Sequence, residues 1–438
     1  MSNESDPRPE PGGGTQEAAP PSSKSREPGR ELDVVVYGAT GFVGRLVAAH
    51  LAEHAPEGVR LGLAGRNRGR LEAIRNGLGS GAADWPMLIA DATDDASMDV
   101  LARSARVVIS TVGPYARYGL PLVRACAEAG TDYVDLTGEV LFHRESIDRH
   151  HETAVRTGAR IVHSCGFDSV PSDLGVYRLY RKAAEDGSGE LTDTTLVVSD
   201  LRGGISGGTV DSLRMQIDAM KKDKQARRIG LSPYSLSPDS AAEPDVGRQS
   251  DAAIVRGADV AVGLGGFLPP FFMGPYNTRV VRRSAALLGH AYGRRFRYRE
   301  VMAVGSSPLS LLPAAAVTAG MGGLVAGLGF GPTRAVLDRV LPAPGEGPKE
   351  KARANGRFAV DVYATTSGGA RYRSRVAAHG DPGYAATAVM LGESALALAL
   401  DRAAAPETAG VLTPATGIGA ALAERLRARG FTLEVERR

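Results

Sequence analysis

The chain has 438 residues, 43% of them hydrophobic and 23% charged, which excludes a disordered or fibrous protein and leaves room for two or three domains. Its 52 basic side chains against 49 acidic ones give a net charge of +3, so no nucleic-acid partner is expected. With only Cys126 and Cys165, a disulfide framework and a cysteine-based zinc site are excluded, and a reducing, cytoplasmic setting is expected.

Residues 1–30 are rich in Pro, Ser, Gly and Glu and lack the apolar centre of a secretory signal, so a disordered tail is expected there. Order begins near Leu32. The run LDVVVYGATGFVGRLVAAHLAEHA changes period halfway. Residues 32–37 form a nearly continuous apolar strand, suited to a buried parallel sheet. Then Phe42, Val43, Leu46, Val47 and Leu51 fall at helical spacing. A second strand fits Val59 to Ala64, followed by a polar loop and helix in GRNRGRLEAIRNGL. Strands fit Pro86 to Ala90 and Arg106 to Ser110, with a helix over Asp95 to Ser104 between them. LPLVRACAEAG reads as a helix, TDYVDLTG as a strand, His143 to Thr157 as a helix and Ala159 to His163 as a strand. This alternation predicts an α/β unit with a parallel sheet.

After Gly166 the rhythm changes. LTDTTLVVSDLRGGISGGTVDSLRMQIDAM predicts an extended strand, a glycine-rich bend and a helix, and Ser232 to Gly257 a surface loop. Arg294 to Val304, Gly356 to Thr366 and Ala370 to Ala378 read as strands of a second sheet, the last two as a hairpin. A helix is expected in TAVMLGESALALALDRA, and Gly417 to Arg429 with the final strand FTLEVE are expected to rejoin the first domain. The expected divisions are a tail at 1–30, a nucleotide domain at 31–170, a substrate domain at 171–403 and returning elements at 404–438.

Leu309 to Phe330 holds 22 residues without a charge, long enough to span a bilayer if helical, although Pro313 and several glycines oppose that. A loosely packed apolar flap or substrate-tunnel wall, a membrane-surface or oligomer contact, and a spanning helix are the readings it allows; membrane contact would be at the inner face of the plasma membrane. Phe267, Phe271 and Phe272 add aromatic bulk just upstream.

GATGFVG is the strongest local signal, because it follows a buried strand and opens a helix. Gly38 suits the tight turn, Gly41 the approach of a pyrophosphate and Gly44 close helix–sheet packing. Thr40 and Phe42 lie in the same turn and count among its cofactor contacts. The second strand ends in AGRNRGR, where an NAD site would commonly place a carboxylate. Arg66 and Arg70 are placed to hold a 2'-phosphate, with Asn67 adding a hydrogen bond, so NADPH is expected over NADH. Arg70 fits a solvated helix face equally well. Asp91 is positioned to bond adenine or to cap the next helix. In STVGPYARYG, Ser110, Thr111, Val112, Gly113 and Pro114 would wrap the nicotinamide side, and Tyr115 or Tyr118 would approach substrate, with a packed ring and a satisfied hydroxyl as the alternative for either tyrosine.

At these residues the chain resembles the saccharopine dehydrogenase-like NAD(P)-binding family, and within it the actinobacterial trans-acting enoyl reductase branch. The resemblance rests on VVYGATGFVG, LAGRNRGRL, STVGPYARYG, YVDLTGE, HSCGFDSVPSDLG, RGGISGGTVDS, LGESALALAL and LTPATGIGAAL. It implies a Rossmann-type parallel-sheet domain interrupted by an α+β domain with a mixed or antiparallel sheet. It also implies an NADPH-dependent reductase of an acyl thioester, carried by a synthase or acyl carrier in lipid formation. Hydride would reach the β carbon, and the resulting enolate would be protonated at the α carbon.

Asp168 is the conditional proton-transfer candidate, with a turn or helix cap as its alternative, and Tyr115 is the second catalytic candidate. Ser169, Ser172 and Asp173 read as turn and helix-start residues, and His163 with Cys165 as ordinary packing rather than a nucleophilic pair. Asp135 and Glu139 would orient a polar substrate head or enclose the cofactor ribose, with solvation and turn capping explaining them equally well. Neither an HExxH pattern nor a G-x-S-x-G elbow occurs, so no metal site and no hydrolase of that type is expected. The competing readings are an NADP-dependent enzyme of an amino-acid, imine or carbonyl substrate, and a nonenzymatic NADP-binding, membrane-associated protein. A homodimer is the base-rate expectation for the assembly.

Overall fold

The structure, a computed structural model, describes residues 30–203, 207–340 and 350–438. The expected tail lies outside the described residues except for Arg30, as do three residues of the RGGISGG stretch.

The first half alternates strand and helix: β1 (Leu32–Tyr37), α1 (Phe42–His54), β2 (Leu61–Gly65), α2 (Arg68–Gly77), β3 (Met87–Ile89) and α3 (Asp95–Ser104). It continues with β4 (Ala105–Ser110), α4 (Tyr115–Tyr118), α5 (Leu120–Ala129), β5 (Asp132–Asp135), α6 (Val140–Thr157) and β6 (Arg160–Val162). β2 and β5 are buried throughout, as strands covered by helices on both faces must be. Asn67 and Asp94 cap α2 and α3 by accepting from the amides of Arg70 and Ala96. Gly130 and Gly158, both left-handed, end α5 and α6.

The second half opens with α7 (Val170–Glu185), β7 (Leu191–Arg202), α8 (Gly207–Lys222), α9 (Lys224–Leu231), β8 (Val255–Arg256), α10 (Gly257–Val260), β9 (Phe267–Leu268), α11 (Gly274–Leu287) and β10 (Arg297–Met302). Then come α12 (Leu311–Gly329), α13 (Gly331–Val340), α14 (Glu350–Ala354), β11 (Arg357–Thr366) and β12 (Arg371–His379). The chain closes with α15 (Thr387–Leu400), β13 (Gly410–Leu412), α16 (Pro414–Gly417), α17 (Ala420–Ala428) and β14 (Thr432–Arg437).

Seven strands form a parallel sheet in the order β13-β6-β5-β4-β1-β2-β3. Five form a mixed sheet, β10-β7-β11-β12-β14, in which only β10 and β7 run parallel. Because β1 lies between β4 and β2, the connections around it leave in opposite directions. That opens a crevice beyond the carboxyl ends of these strands.

The final strand departs from expectation. β14 does not return to the parallel sheet but pairs antiparallel with β12, Leu433 opposite Val376. TLEVER alternates, with Leu433 buried and Glu434 exposed, which suits a sheet edge with one wet face; a strand inside the parallel sheet needs apolar groups on both faces. Nor is 232–257 merely a surface loop. Leu236 is fully buried in it, and Arg283 donates to its carbonyl at 2.5 Å. Helix α11 was not anticipated at all. Its Arg279, Arg282 and Arg283 are buried, each donating to main-chain carbonyls of that loop, so a charged stretch folds inward.

Among the described residues, two helical stretches are long and apolar enough to cross a membrane, 308–329 and 382–400. The second is a core element: 78% of its apolar window is buried, and α15 packs against the parallel sheet between α1 and α17. Gly392 leaves room for the His50 ring, and Glu393 accepts from His50 at 3.0 Å, Arg425 at 3.2 Å and Arg429 at 2.8 Å. In the first stretch only 11% is buried.

In the mixed sheet, Glu300 accepts from Tyr298 Oη at 2.8 Å and Asn277 Nδ2 at 2.9 Å. Burial raises its carboxyl from 4.5 to about 7, against the lowering effect of those hydrogen bonds. The folded state therefore holds this proton more tightly than the unfolded chain. The resulting stabilisation is complete below pH 4.5 and is lost as pH rises through about 7. In thermal melts across that range, wild type should lose stability relative to Glu300→Gln, which keeps an acceptor but cannot ionise. Parallel curves would contradict this.

Candidate functional site

The β1–α1 turn is shaped by backbone contact. Gly38 adopts φ +86°, donates to Ala64 O at 3.0 Å and accepts from Gly41 N at 2.9 Å. A Cβ on Gly44 would collide with the Gly38 carbonyl, and one on Gly38 would lie 2.6 Å from Thr111 Oγ1 and 2.8 Å from Val112 Cγ2. Gly41 is different: a Cβ there would meet only the Gly38 carbonyl oxygen, so its outer side is open. Gly41 caps α1 without a side chain, and no carboxylate stands in the first turn. The amides of Phe42, Val43 and Gly44 thus lack intrahelical acceptors at the positive end of the helix dipole. Thr40 is half-buried in the turn; the Phe42 ring packs edge-on against Tyr384 at 4.9 Å, with the Arg45 and Arg353 guanidiniums within 6 Å of it.

Beyond β2, Arg66, Asn67 and Arg70 are all exposed. Asn67 Oδ1 is occupied in capping α2, accepting from Arg70 N at 2.9 Å. Neither Arg66 nor Arg70 has an ion-pair partner among the described residues, so two cations face solvent beside the mouth. Asp91 Oδ1 accepts from Thr93 N at 3.0 Å and Oγ1 at 2.9 Å, which holds its carboxyl below the usual range. It shapes the turn before α3, whose cap is Asp94.

The loop after β4 closes the other side. Thr111 Oγ1 donates to the carbonyls of Tyr37 at 3.1 Å and Gly38 at 3.2 Å, so its hydroxyl braces the glycine turn. Val112 and Pro114 are half-buried and Gly113 is exposed. Tyr115 is not the catalytic group expected of it: its hydroxyl donates to Ser110 O at 2.9 Å and accepts from Leu136 N at 3.4 Å, and burial drives its pKa well above 10. A phenol so committed is a packing strut, not a proton donor. The loop itself is held by Glu139, wholly buried, which accepts from Tyr115 N at 3.0 Å, Ala116 N at 2.7 Å and Ser212 Oγ at 2.6 Å.

Beneath the mouth lies a buried polar network that no sequence pattern announced. Asp135 accepts from Tyr133 Oη at 3.0 Å, Thr137 N at 3.1 Å and Ser164 N at 3.0 Å. His163 bridges Asp135 at 2.8 Å and Ser146 Oγ at 2.8 Å. This Ser–His–Asp line is fully buried and so out of reach of a substrate. Ser164 holds φ +65°, donates to Thr137 O at 2.8 Å and shares a 2.5 Å bond with Tyr276 Oη. Cys165 touches Val162 O at 3.5 Å, and burial pushes its thiol well above 9, so it is packing rather than nucleophile. Ser169 and Ser172 bond Asn277, and Asp173 accepts from Ser284 at 2.5 Å and Ala415 N at 2.8 Å, all structural contacts.

Asp168 stands apart. It is partly exposed, makes no hydrogen bond among the described residues, and lies beside Gly138, whose added Cβ would be 3.8 Å from Asp168 Oδ2 and 3.6 Å from Met273 Cε. Burial raises its carboxyl from 3.8 to about 6.

Residues 34–162 match the saccharopine dehydrogenase NADP binding domain. The chain is 49% identical over 417 residues to a trans-acting enoyl reductase of Mycobacterium ulcerans (strain Agy99), covering 93% of this chain and 98% of that protein. A Mycobacterium tuberculosis protein (strain H37Rv), provisionally designated a trans-acting enoyl reductase, is 52% identical over the same shares. The chain belongs to the saccharopine dehydrogenase-like NAD(P)-binding family. Its fold also matches apo saccharopine dehydrogenase (L-Glu forming) of Saccharomyces cerevisiae, with a TM-score of 0.51, 15% identity and coverage of 93% of this chain and 100% of that one.

This member of the family is an NADP-binding oxidoreductase related to the trans-acting enoyl reductases. Its residues fit the cofactor: an open Gly41, free α1 amides, and exposed arginines where an NAD site would carry a carboxylate. If Arg66 meets the 2'-phosphate, Arg66→Ala should weaken NADPH binding roughly 10- to 100-fold, the range for a charge-assisted contact, and leave NADH unchanged. Calorimetric titration with both nucleotides checks this; an equal loss for both would refute it.

Proposed function

We propose that this chain is a cytoplasmic, NADPH-dependent enoyl reductase acting on an α,β-unsaturated acyl thioester presented by a synthase or carrier protein. Near-full-length identity to proteins named trans-acting enoyl reductases carries the reading. The chemistry at the mouth supports it. The walls around Asp168 include the apolar Met273, and the α11 arginines, which a multiply charged amino-acid substrate would need, are committed to the protein's own carbonyls.

When bound, NADPH would supply the hydride for the β carbon. The α1 amides and Gly41 would hold its pyrophosphate, Arg66 and Arg70 its 2'-phosphate, and Val112, Gly113 and Pro114 would flank its nicotinamide side. Glu139 keeps that loop in place through the Tyr115 and Ala116 amides. Asp168, protonated, gives its proton to the substrate's α carbon and is reprotonated from solvent through its exposed side.

Purified protein should oxidise NADPH with an enoyl thioester and not with its saturated counterpart. Turnover only with amino-acid, imine or carbonyl substrates would overturn the assignment. Because the acid form of Asp168 is the working one, kcat should fall as pH rises through about 6. Asp168→Asn should lower kcat by roughly 100- to 10,000-fold and abolish that limb while NADPH binding persists. An unchanged profile would remove Asp168 from the reaction.

A further inference from the structure

Helix α12 is apolar around its whole circumference, yet only Ala314 and Leu328 are buried in it. Leu312 is 73% exposed and Phe330 61%; Val336 and Val340 continue the apolar surface onto α13 at 58% and 79%. Added side-chain carbons at Gly320, Gly322 and Gly323 would meet nothing within 4 Å, so none of the described residues covers that side. A helix of this composition belongs in a core or against lipid, and this one is not in the core.

Both ends of α12 are fastened to the folded body. Ser310 Oγ accepts from Phe267 N at 2.7 Å just before its first turn. At its last turn Gly329 lies against Ile217 and Lys221 of α8. α13 is anchored to the same helix by Arg334 on Asp218 at 2.7 Å and Asp338 on Arg214 at 2.6 Å. A helix tied at both ends to one body cannot thread a bilayer; it can only lie along its surface.

Charge identifies that surface. Those two ion pairs neutralise Asp338, the one carboxylate of α12 and α13, and Asp218 beneath it. Where α12 ends, α8 runs into the sequence KKDKQARR. Lys221, Lys222, Lys224, Arg227 and Arg228 are all exposed, and none has an ion-pair partner among the described residues. The single acid of the run, Asp223, caps α9 through Gln225 N at 2.8 Å. We infer that α12 and α13 bed into the surface of an anionic lipid bilayer, with this basic run against the headgroups. The inference depends on neither the nucleotide nor the reaction.

The full chain should float with vesicles of phosphatidylcholine containing phosphatidylglycerol, float weakly or not at all with phosphatidylcholine alone, and be released by high salt. Joint Lys222→Gln and Lys224→Gln substitution should reduce partition roughly 30-fold, since each cation near an anionic surface contributes about fivefold. Leu312→Asp should abolish flotation, and all variants should retain NADPH binding, which reports intact folding. Equal binding to neutral and anionic vesicles, or none to either, would overturn the inference. So would a solution dimer that Leu312→Asp converts to monomer, since a second copy would then be what covers the helix.

Discussion

The structure depends on how closely two stretches of backbone approach where β1 gives way to α1. Gly44 lies so close to the Gly38 carbonyl that no side chain fits between them, and Gly38 in turn lies against Thr111 and Val112. This contact sets the angle at which α1 leaves the sheet and so where its free amides aim. It also brings the β4 loop beside the turn, so the two walls of the nucleotide mouth form as one unit. The exposed Arg66 and Arg70 stand beside a cradle that the main chain has already shaped.

Below that mouth the protein relies on buried polar groups that are thoroughly satisfied. Asp135, Glu139 and Glu393 are each wholly buried and each accept several hydrogen bonds. Burying a carboxylate is costly unless its lone pairs are filled, so each of these groups is compatible with essentially one arrangement of its neighbours. They join elements far apart in sequence: β5 to the loop after β6, the loop after β4 to α8, and α1 to α15 and α17.

The parallel sheet is readable because most of its strands are short apolar runs and two of its helices, α2 and α3, carry side-chain caps. Asp95 to Ser104 was placed to the residue, and the hairpin of β11 and β12 to within one or two. Local pattern failed where tertiary partners decide. The arginines of α11 resemble a solvated face, and only the carbonyls of a loop some fifty residues away make them interior groups. β14 reads as any short strand until the edge of β12 is available to it. At the site, glycines and arginines announce themselves by spacing. The commitments of Tyr115, Glu139 and Asp135 do not, because hydrogen bonds between separate loops leave no periodic trace. YVDLTGE flagged the neighbourhood without disclosing what its acids hold.

One oxygen of Glu139 accepts from both Tyr115 N, at the start of α4, and Ser212 Oγ of α8, while the other accepts from Ala116 N. The loop between β4 and α4 and helix α8 therefore cannot diverge independently. Any lineage or designer exchanging one for another specificity must transplant both, with the carboxylate between them.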